Sequence, residues 1–292
     1  TVAISGDTII VGAPAEKSAA TGVNGDQLDN TQPWAGAAYV FVRNGTTWSQ
    51  QAYLKGPGVS GAFGYSVDVS ADTAVVSSIL SEAAYVFVRT GVDWAQQACL
   101  QPAVTDSGDR FGECVALFGE RVVVGAIQED SIANGVDGDP LNNLATWSGA
   151  AYVFARAGTS WSQEAYLKAS NTEANDFFGW CVAASGDTVV VTSRWEGSDA
   201  TGVNGDQGNN LAPQSGAAYV FTRSGTTWSQ QAYVKASNTA RWCVHREQRR
   251  DRCERRPGRQ QRPGLGGGLR VRSVRADVDP PVVPQGVQHR SQ

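Results

Sequence analysis

One twenty-residue stretch occurs four times along the 292-residue chain. It reads GAAYVFVRNGTTWSQQAYLK from Gly36, EAAYVFVRTGVDWAQQACLQ from Glu82, GAAYVFARAGTSWSQEAYLK from Gly149 and GAAYVFTRSGTTWSQQAYVK from Gly216. Tyr39, Tyr85, Tyr152 and Tyr219 mark steps of 46, 67 and 67 residues, and Trp48, Trp94, Trp161 and Trp228 keep the same steps. A chain with this self-similarity is built from copies of one supersecondary unit, and each copy needs neighbours to cover its apolar faces.

Each copy reads as β-structure. The AAYVF segment is β-branched and aromatic and too short for a stable helix. A turn follows at Asn44-Gly45, Thr90-Gly91, Ala157-Gly158 or Ser224-Gly225, with Gly at the second place supplying positive φ, and the chain returns as an alternating strand. A second hairpin lies upstream, at Gly64–Ser77 and from Gly112 and Gly179. The unit is therefore four antiparallel strands, the pattern of a propeller blade. This predicts an all-β β-propeller domain over residues 1–240, with blades at 1–60, 61–110, 111–176 and 177–240. Thr1 opens on TVAISGDTIIVGAP, which matches the middle of a blade. The first blade is thus expected to be incomplete and the chain to be a fragment of a longer protein, which leaves a missing signal peptide uninformative.

Phe63-Gly64, Phe111-Gly112 and Phe178-Gly179 head the first strands, and Gly12-Ala13-Pro14 and Gly125-Ala126 end second strands. Together with AAYVF, these residues resemble the FG-GAP repeat, the blade of integrin-α-like propellers, in a bacterial-type secreted or cell-surface protein. Ser77-Ser78 and Thr192-Ser193 stand where Gly-Ala is expected. The resemblance implies an extracellular or cell-surface adhesion or binding module without enzymatic activity, meeting a protein or glycan ligand with the loops of one rim. Two alternatives stay open: a non-catalytic propeller module of a secreted hydrolase or lyase, and a purely architectural repeat array.

The second copy lacks 21 residues, which locates a long polar insert after the second strand of the other three. The insert's core is Asn24, Asp26, Asp29 and Asn30, then Asp137, Asp139, Asn142 and Asn143, then Asn204, Asp206, Asn209 and Asn210. Oxygen side chains at alternating places suit a hard cation, and the spacing is similar to the calcium loop of FG-GAP propellers. Asn24, Asp26 and Asn30 would take its third, fifth and ninth places. Gly22, Gly135 and Gly202 replace its first Asp, Gln27, Pro140 and Gln207 its Gly, and the insert follows the Gly-Ala-Pro strand instead of preceding it. Two readings stay open, a weak calcium site with oxygens converging on one point and an Asx-turn loop bonded to its own backbone. The three inserts are expected on one rim.

The repeated tryptophans read as packing between blades. Trp34, Trp147 and Trp195 stand off the repeated strands, at the ends of inserts, and are candidates for ligand contact. Residues 1–240 carry 11 Lys and Arg against 23 Asp and Glu, which gives no support to nucleic-acid binding. No apolar run has the roughly 18 residues of a membrane helix, so no membrane insertion is expected. His245 and His289 both lie beyond the repeats, so the blades have neither a His-dependent triad nor a His metal site. No cofactor other than calcium is suggested. Cys99, Cys114 and Cys181 replace residues of other copies and read as small buried substitutes. A bridge between Cys114 and Cys181 needs Cα atoms within about 7 Å, which neighbouring innermost strands are not expected to allow.

Residues 241–292 hold 13 arginines and five acids and show no strand period. A basic nucleic-acid-binding arm is one reading. The preferred one comes from the genetic code. With suitable codons, Gly267–Val274 read one base out of phase gives Ala-Ala-Tyr-Val-Phe-Val-Arg-Ser, the repeat strand itself. The segment is therefore expected to be a frameshifted fifth repeat, disordered and without a function of its own.

Overall fold

A computed structural model describes residues 1–58, 61–104 and 106–238. Among these residues there is no helix, and the strands form four antiparallel sheets, each with its four main strands paired in sequence order and none closed on itself. The first blade holds β1 (Val2–Ser5), β2 (Thr8–Ala13), β3 (Ala37–Asn44) and β4 (Thr47–Leu54). The second holds β5 (Phe63–Ser70), β6 (Thr73–Ser78), β7 (Ala83–Thr90) and β8 (Asp93–Leu100). The third holds β9 (Phe111–Phe118), β10 (Arg121–Ala126), β11 (Ala150–Ala157) and β12 (Ser160–Leu167). The fourth holds β13 (Phe178–Ser185), β14 (Thr188–Ser193), β16 (Ala217–Ser224) and β17 (Thr227–Lys235), with the two-residue β15 (Gly202–Val203) along the outer edge of β17. The first blade has four strands, but its first strand has no Phe-Gly head like those of β5, β9 and β13, the incompleteness expected from the sequence. Its β1 has four residues against the eight of β5, β9 and β13. The readings of residues 241–292 as a frameshifted repeat or a basic arm lie outside the described residues.

Strand alternation divides the core between neighbours. Ala74 and Val76 of β6 join Ile10, Val40 and Leu54 of the first blade, while Val75 between them joins Val115, Val122 and Val124 of the third. Successive side chains leave a strand on opposite faces, so a middle blade is apolar on both sides. A third cluster joins Val123, Val153 and Leu167 of the third blade to Phe178, Val189 and Phe221 of the fourth. The four blades therefore meet at three joints, each with its own core.

The Phe-Gly signature has two jobs. Phe63, Phe111 and Phe178 set edge-on contacts with Phe87, Phe154 and Phe221 of their own blades, with centroids 6.0–6.2 Å apart. Gly64 and Gly179, at φ 86° and 90°, let the backbones of adjoining blades touch. A Cβ on Gly12 would lie 2.1 Å from the Gly64 oxygen, and one on Gly125 2.0 Å from that of Gly179.

Two details differ from the sequence reading. The third-to-fourth-strand turn is Gly45-Thr46, one residue later than expected, because Asn44 pairs with Thr47. Gly45, at φ 61° with Thr46 not in the left-handed region, takes the first place of a II′ turn. Each fourth strand also bulges, leaving Gln51, Gln97, Glu164 or Gln231 without a register partner. A bulge re-aims a side chain, and here it aims three of them at the next blade. Trp94 Nε1 donates to Gln51 (2.8 Å), Trp161 to Gln97 (2.9 Å) and Trp228 to Glu164 (3.3 Å). This is the inter-blade packing expected of the repeated tryptophans. Trp48 of the first blade, by contrast, is exposed.

Candidate binding rim

The inserts join β2 to β3, β10 to β11 and β14 to β16, the same strand ends of equivalent sheets. They therefore emerge on one rim, where the second blade has only the turn Ile79–Glu82. Each insert is tied at its neck. Gly36, Gly149 and Gly216 donate their N–H to the carbonyls of Glu16, Glu129 and Glu196 at 2.9 Å. The same glutamates take a buried lysine from the end of the fourth strand: Lys55 to Glu16 at 2.8 Å, Lys168 to Glu129 at 2.6 Å and Lys235 to Glu196 at 2.6 Å. Burial outweighs the carboxylate at Lys168 and holds its ammonium below the usual lysine range. Tyr166 donates to the other Glu129 oxygen at 2.7 Å, and burial pushes that phenol well above its ordinary value. The second blade has Ser81 and Gln101 at the equivalent positions, so insert and ion pair are absent together.

The residues proposed for calcium are turned onto backbone donors. Asn24, Asp137 and Asn204, all at positive φ, accept from the Tyr53, Tyr166 and Tyr233 N–H groups at 2.8–2.9 Å. This pins the insert to its own fourth strand, beside the bridges Val23–Leu54 and Val136–Leu167 and the β15–β17 pair. Asp26, Asp139 and Asp206 accept from the N–H two residues on, at 2.8–2.9 Å. Asp29, Asn142 and Asn209 reach across the loop to the N–H of Ala19, Ile132 and Asp199. The bonds from Ala19 and Thr31 hold the Asp29 carboxyl below its usual range. Asn30 donates to the Leu28 carbonyl, Asn143 to Asp106 and Asn210 to Glu173. A calcium ion needs six to eight oxygens around one point. Here the oxygens face separate N–H groups, and among the described residues no three or more His, Cys, Asp or Glu side chains are grouped to hold a metal. The arrangement fits the Asx-turn loop and does not fit an ion held by these side chains.

The tryptophans off the strands have different fates. The Trp34 and Trp147 carbonyls accept from Ala62 and Phe177 at the head of the next blade, at 2.9 and 3.1 Å. Trp147 also rests on the Phe177 ring at 5.8 Å, and Trp195 meets the same ring edge-on at 4.6 Å. At the first joint Ala62 stands in place of Phe177, and Trp34 is 61% exposed. Trp147 and Trp195 are thus brought to one place and Trp34 to another. Beside Trp195 lies a cleft of about 200 Å³, lined by Glu173, Asn175 and Asp176 of the linker and by Asn210, Pro213 and Gln214 of the insert, among others. Arg194, over the face of Trp180 at 4.2 Å, borders this aromatic group. Of this group the sequence singled out Trp195 and Asn210; Phe177, Trp180 and the other cleft residues gave no signal, because none of them recurs in every copy.

Asp109 and Asp176 occupy equivalent linker positions, two residues before a Phe-Gly phenylalanine, and both are buried. Burial, with Glu129 and Glu82 near Asp109 and Glu196 and Glu173 near Asp176, pushes both carboxyls up to about 7.

The cysteines are not the buried substitutes the sequence suggested. Cys99 and Cys181 are exposed and Cys114 half-buried, all three as free thiols. Cys114 packs against the core between the third and fourth blades.

Compared with known proteins, the chain matches the FG-GAP repeat family over residues 94–154 and 161–221. No curated protein matches it significantly. Among the described residues no helix is long and apolar enough to cross a membrane.

Proposed function

Because the chain belongs to the FG-GAP repeat family, a family of non-catalytic propeller modules typical of extracellular proteins, we propose that it is a non-enzymatic extracellular binding module. Its contact surface is the insert rim, and the cleft beside Trp195 takes one sugar ring of a glycan. The observation that supports this reading is the cleft itself. An exposed indole offers a flat face for the apolar side of a sugar, while Glu173, Asn175, Asn210 and Gln214 offer donors and acceptors for its hydroxyls. Calcium is not required in this reading, since the inserts hold their shape through their own backbone.

A glycan array followed by titration with the best glycan tests the proposal. Trp195→Ala is expected to weaken binding about tenfold or more, as loss of an aromatic anchor does, with only a small fall in melting temperature from the lost Phe177 contact. Binding to matrix proteins but to no glycan would move the ligand class to protein. Binding to neither would leave the architectural array.

A further inference from the structure

The innermost strands β5, β9 and β13 each carry a small polar side chain at one equivalent position: Ser66, Cys114 and Cys181. That position reaches the next blade. Ser66 Oγ accepts the Val115 N–H at 3.1 Å, and Cys114 Sγ accepts the Val182 N–H at 3.3 Å. The second contact sets Cys114 beside Cys181, and the two sulfurs are 3.7 Å apart as thiols. A disulfide bond is about 2.0 Å long, so small side-chain rotations would bring the sulfurs into bonding range. Cys181 is exposed, so a small oxidant can reach it. The S–H of Cys114 points at Cys181 and holds the Cys181 thiol down to about 6, whereas Cys114 is itself raised. Cys181 is therefore the better supplied with thiolate, and a thiolate is what attacks a disulfide.

We propose that Cys114 and Cys181 are a thiol pair that a low-molecular-weight disulfide converts to an inter-blade disulfide, fastening the third blade to the fourth. The Cys181 thiolate attacks one sulfur of the oxidant, whose S–S bond breaks and releases the first thiolate. Cys114 gives its proton to solvent and attacks the Cys181 sulfur of the mixed disulfide, releasing the second. One S–S bond forms in the protein and one breaks in the oxidant. Two electrons pass to the oxidant, which leaves as two thiols. An oxidising extracellular setting would favour the bridged form, but the chemistry does not depend on the binding proposed above.

The full chain, incubated natively with oxidised glutathione, acid-quenched, alkylated and cut with trypsin, gives the test. Cys114 lies in the tryptic peptide 111–121 and Cys181 in 169–194. These two peptides are expected to run joined, about 2 Da lighter than their sum, and to separate on reduction. The joined species should survive Cys99→Ser and vanish in Cys114→Ser. Glutathione adducts on Cys114 or Cys181 without the joined species would overturn the proposal, as would equal yield from chain unfolded in urea, where any of the five cysteines can meet.

Discussion

Where the first blade meets the second, and the third meets the fourth, the end of a long insert lies across the joint. Backbone closes both. Ala62 and Phe63 donate to Trp34 and Ala35, and Phe177 and Phe178 donate to Trp147 and Ser148, with the parallel bridges Gly36–Phe63 and Gly149–Phe178 alongside. Where the second blade meets the third there is no insert, and one side chain takes over. The Glu82 carboxylate accepts from Gly108 and Arg110 N–H groups at 2.8–3.2 Å. The glycine contact changes too. Ser77 stands where Gly12 and Gly125 do, and its Oγ accepts the Ser66 N–H at 2.9 Å. A repeat can thus lose a 21-residue loop without losing its neighbour, provided a carboxylate replaces the backbone donors' partner and the buried ion pair disappears whole.

The largest effect should come from breaking that ion pair in a blade that keeps its insert. Glu129→Ser leaves Lys168 buried without its carboxylate and is expected to cost about 3–5 kcal/mol. Adding Lys168→Gln reproduces the second blade's Ser81 and Gln101 and should recover part of the loss. Urea unfolding of both variants checks this, and a double variant no more stable than the single one would break the comparison. Next comes Gly125→Ser, which imports the second blade's residue into a joint where a Cβ would meet the Gly179 oxygen at 2.0 Å. Overpacking of this kind costs about 1–3 kcal/mol, read as a lower melting temperature.

A smaller effect is expected from pH. Asp109 and Asp176 have folded pKa values of about 7, above the ordinary carboxyl value of 3.8. Between those values the folded chain binds more protons than the unfolded one, so their contribution is complete below 3.8 and is lost as pH rises through 7. Asp109→Asn and Asp176→Asn should each flatten the fall in melting temperature between pH 5 and 8, by about 2–4 °C. The smallest effect should be a gain. Ala71 sits at φ 50° where the other blades have Gly6, Gly119 and Gly186, so Ala71→Gly should raise stability by about 1 kcal/mol.

The repeated hairpins were legible in the sequence because a strand's period and a turn's glycine are local signals, as in AAYVF and Gly45. The common rim of the inserts followed from the same count. What did not follow lies between segments far apart in the chain. Glu16 and Lys55 are 39 residues apart, and only their joint replacement by Ser81 and Gln101 marks them as a pair. The bulged Gln51 looks like any strand glutamine until the next blade brings Trp94 to it. The Asn24 pattern left two readings open because the same oxygens that suit a cation also suit backbone N–H groups, and the bond from the Tyr53 N–H comes from a strand 29 residues away. Trp147 and Trp195 were picked out for standing off the strands, yet Phe177, which joins them, has Ala62 at the first joint and Arg110 at the second.

Amide hydrogen exchange across the three joints compares them most directly. Ala62, Phe63, Phe177 and Phe178 should exchange at least about tenfold more slowly than Gly108 and Arg110, which hold to a single side chain. Glu82→Gln should speed Gly108 and Arg110 alone. Equal protection at all three joints, or Gly108 and Arg110 unmoved by Glu82→Gln, would contradict the distinction between backbone-closed and side-chain-closed joints.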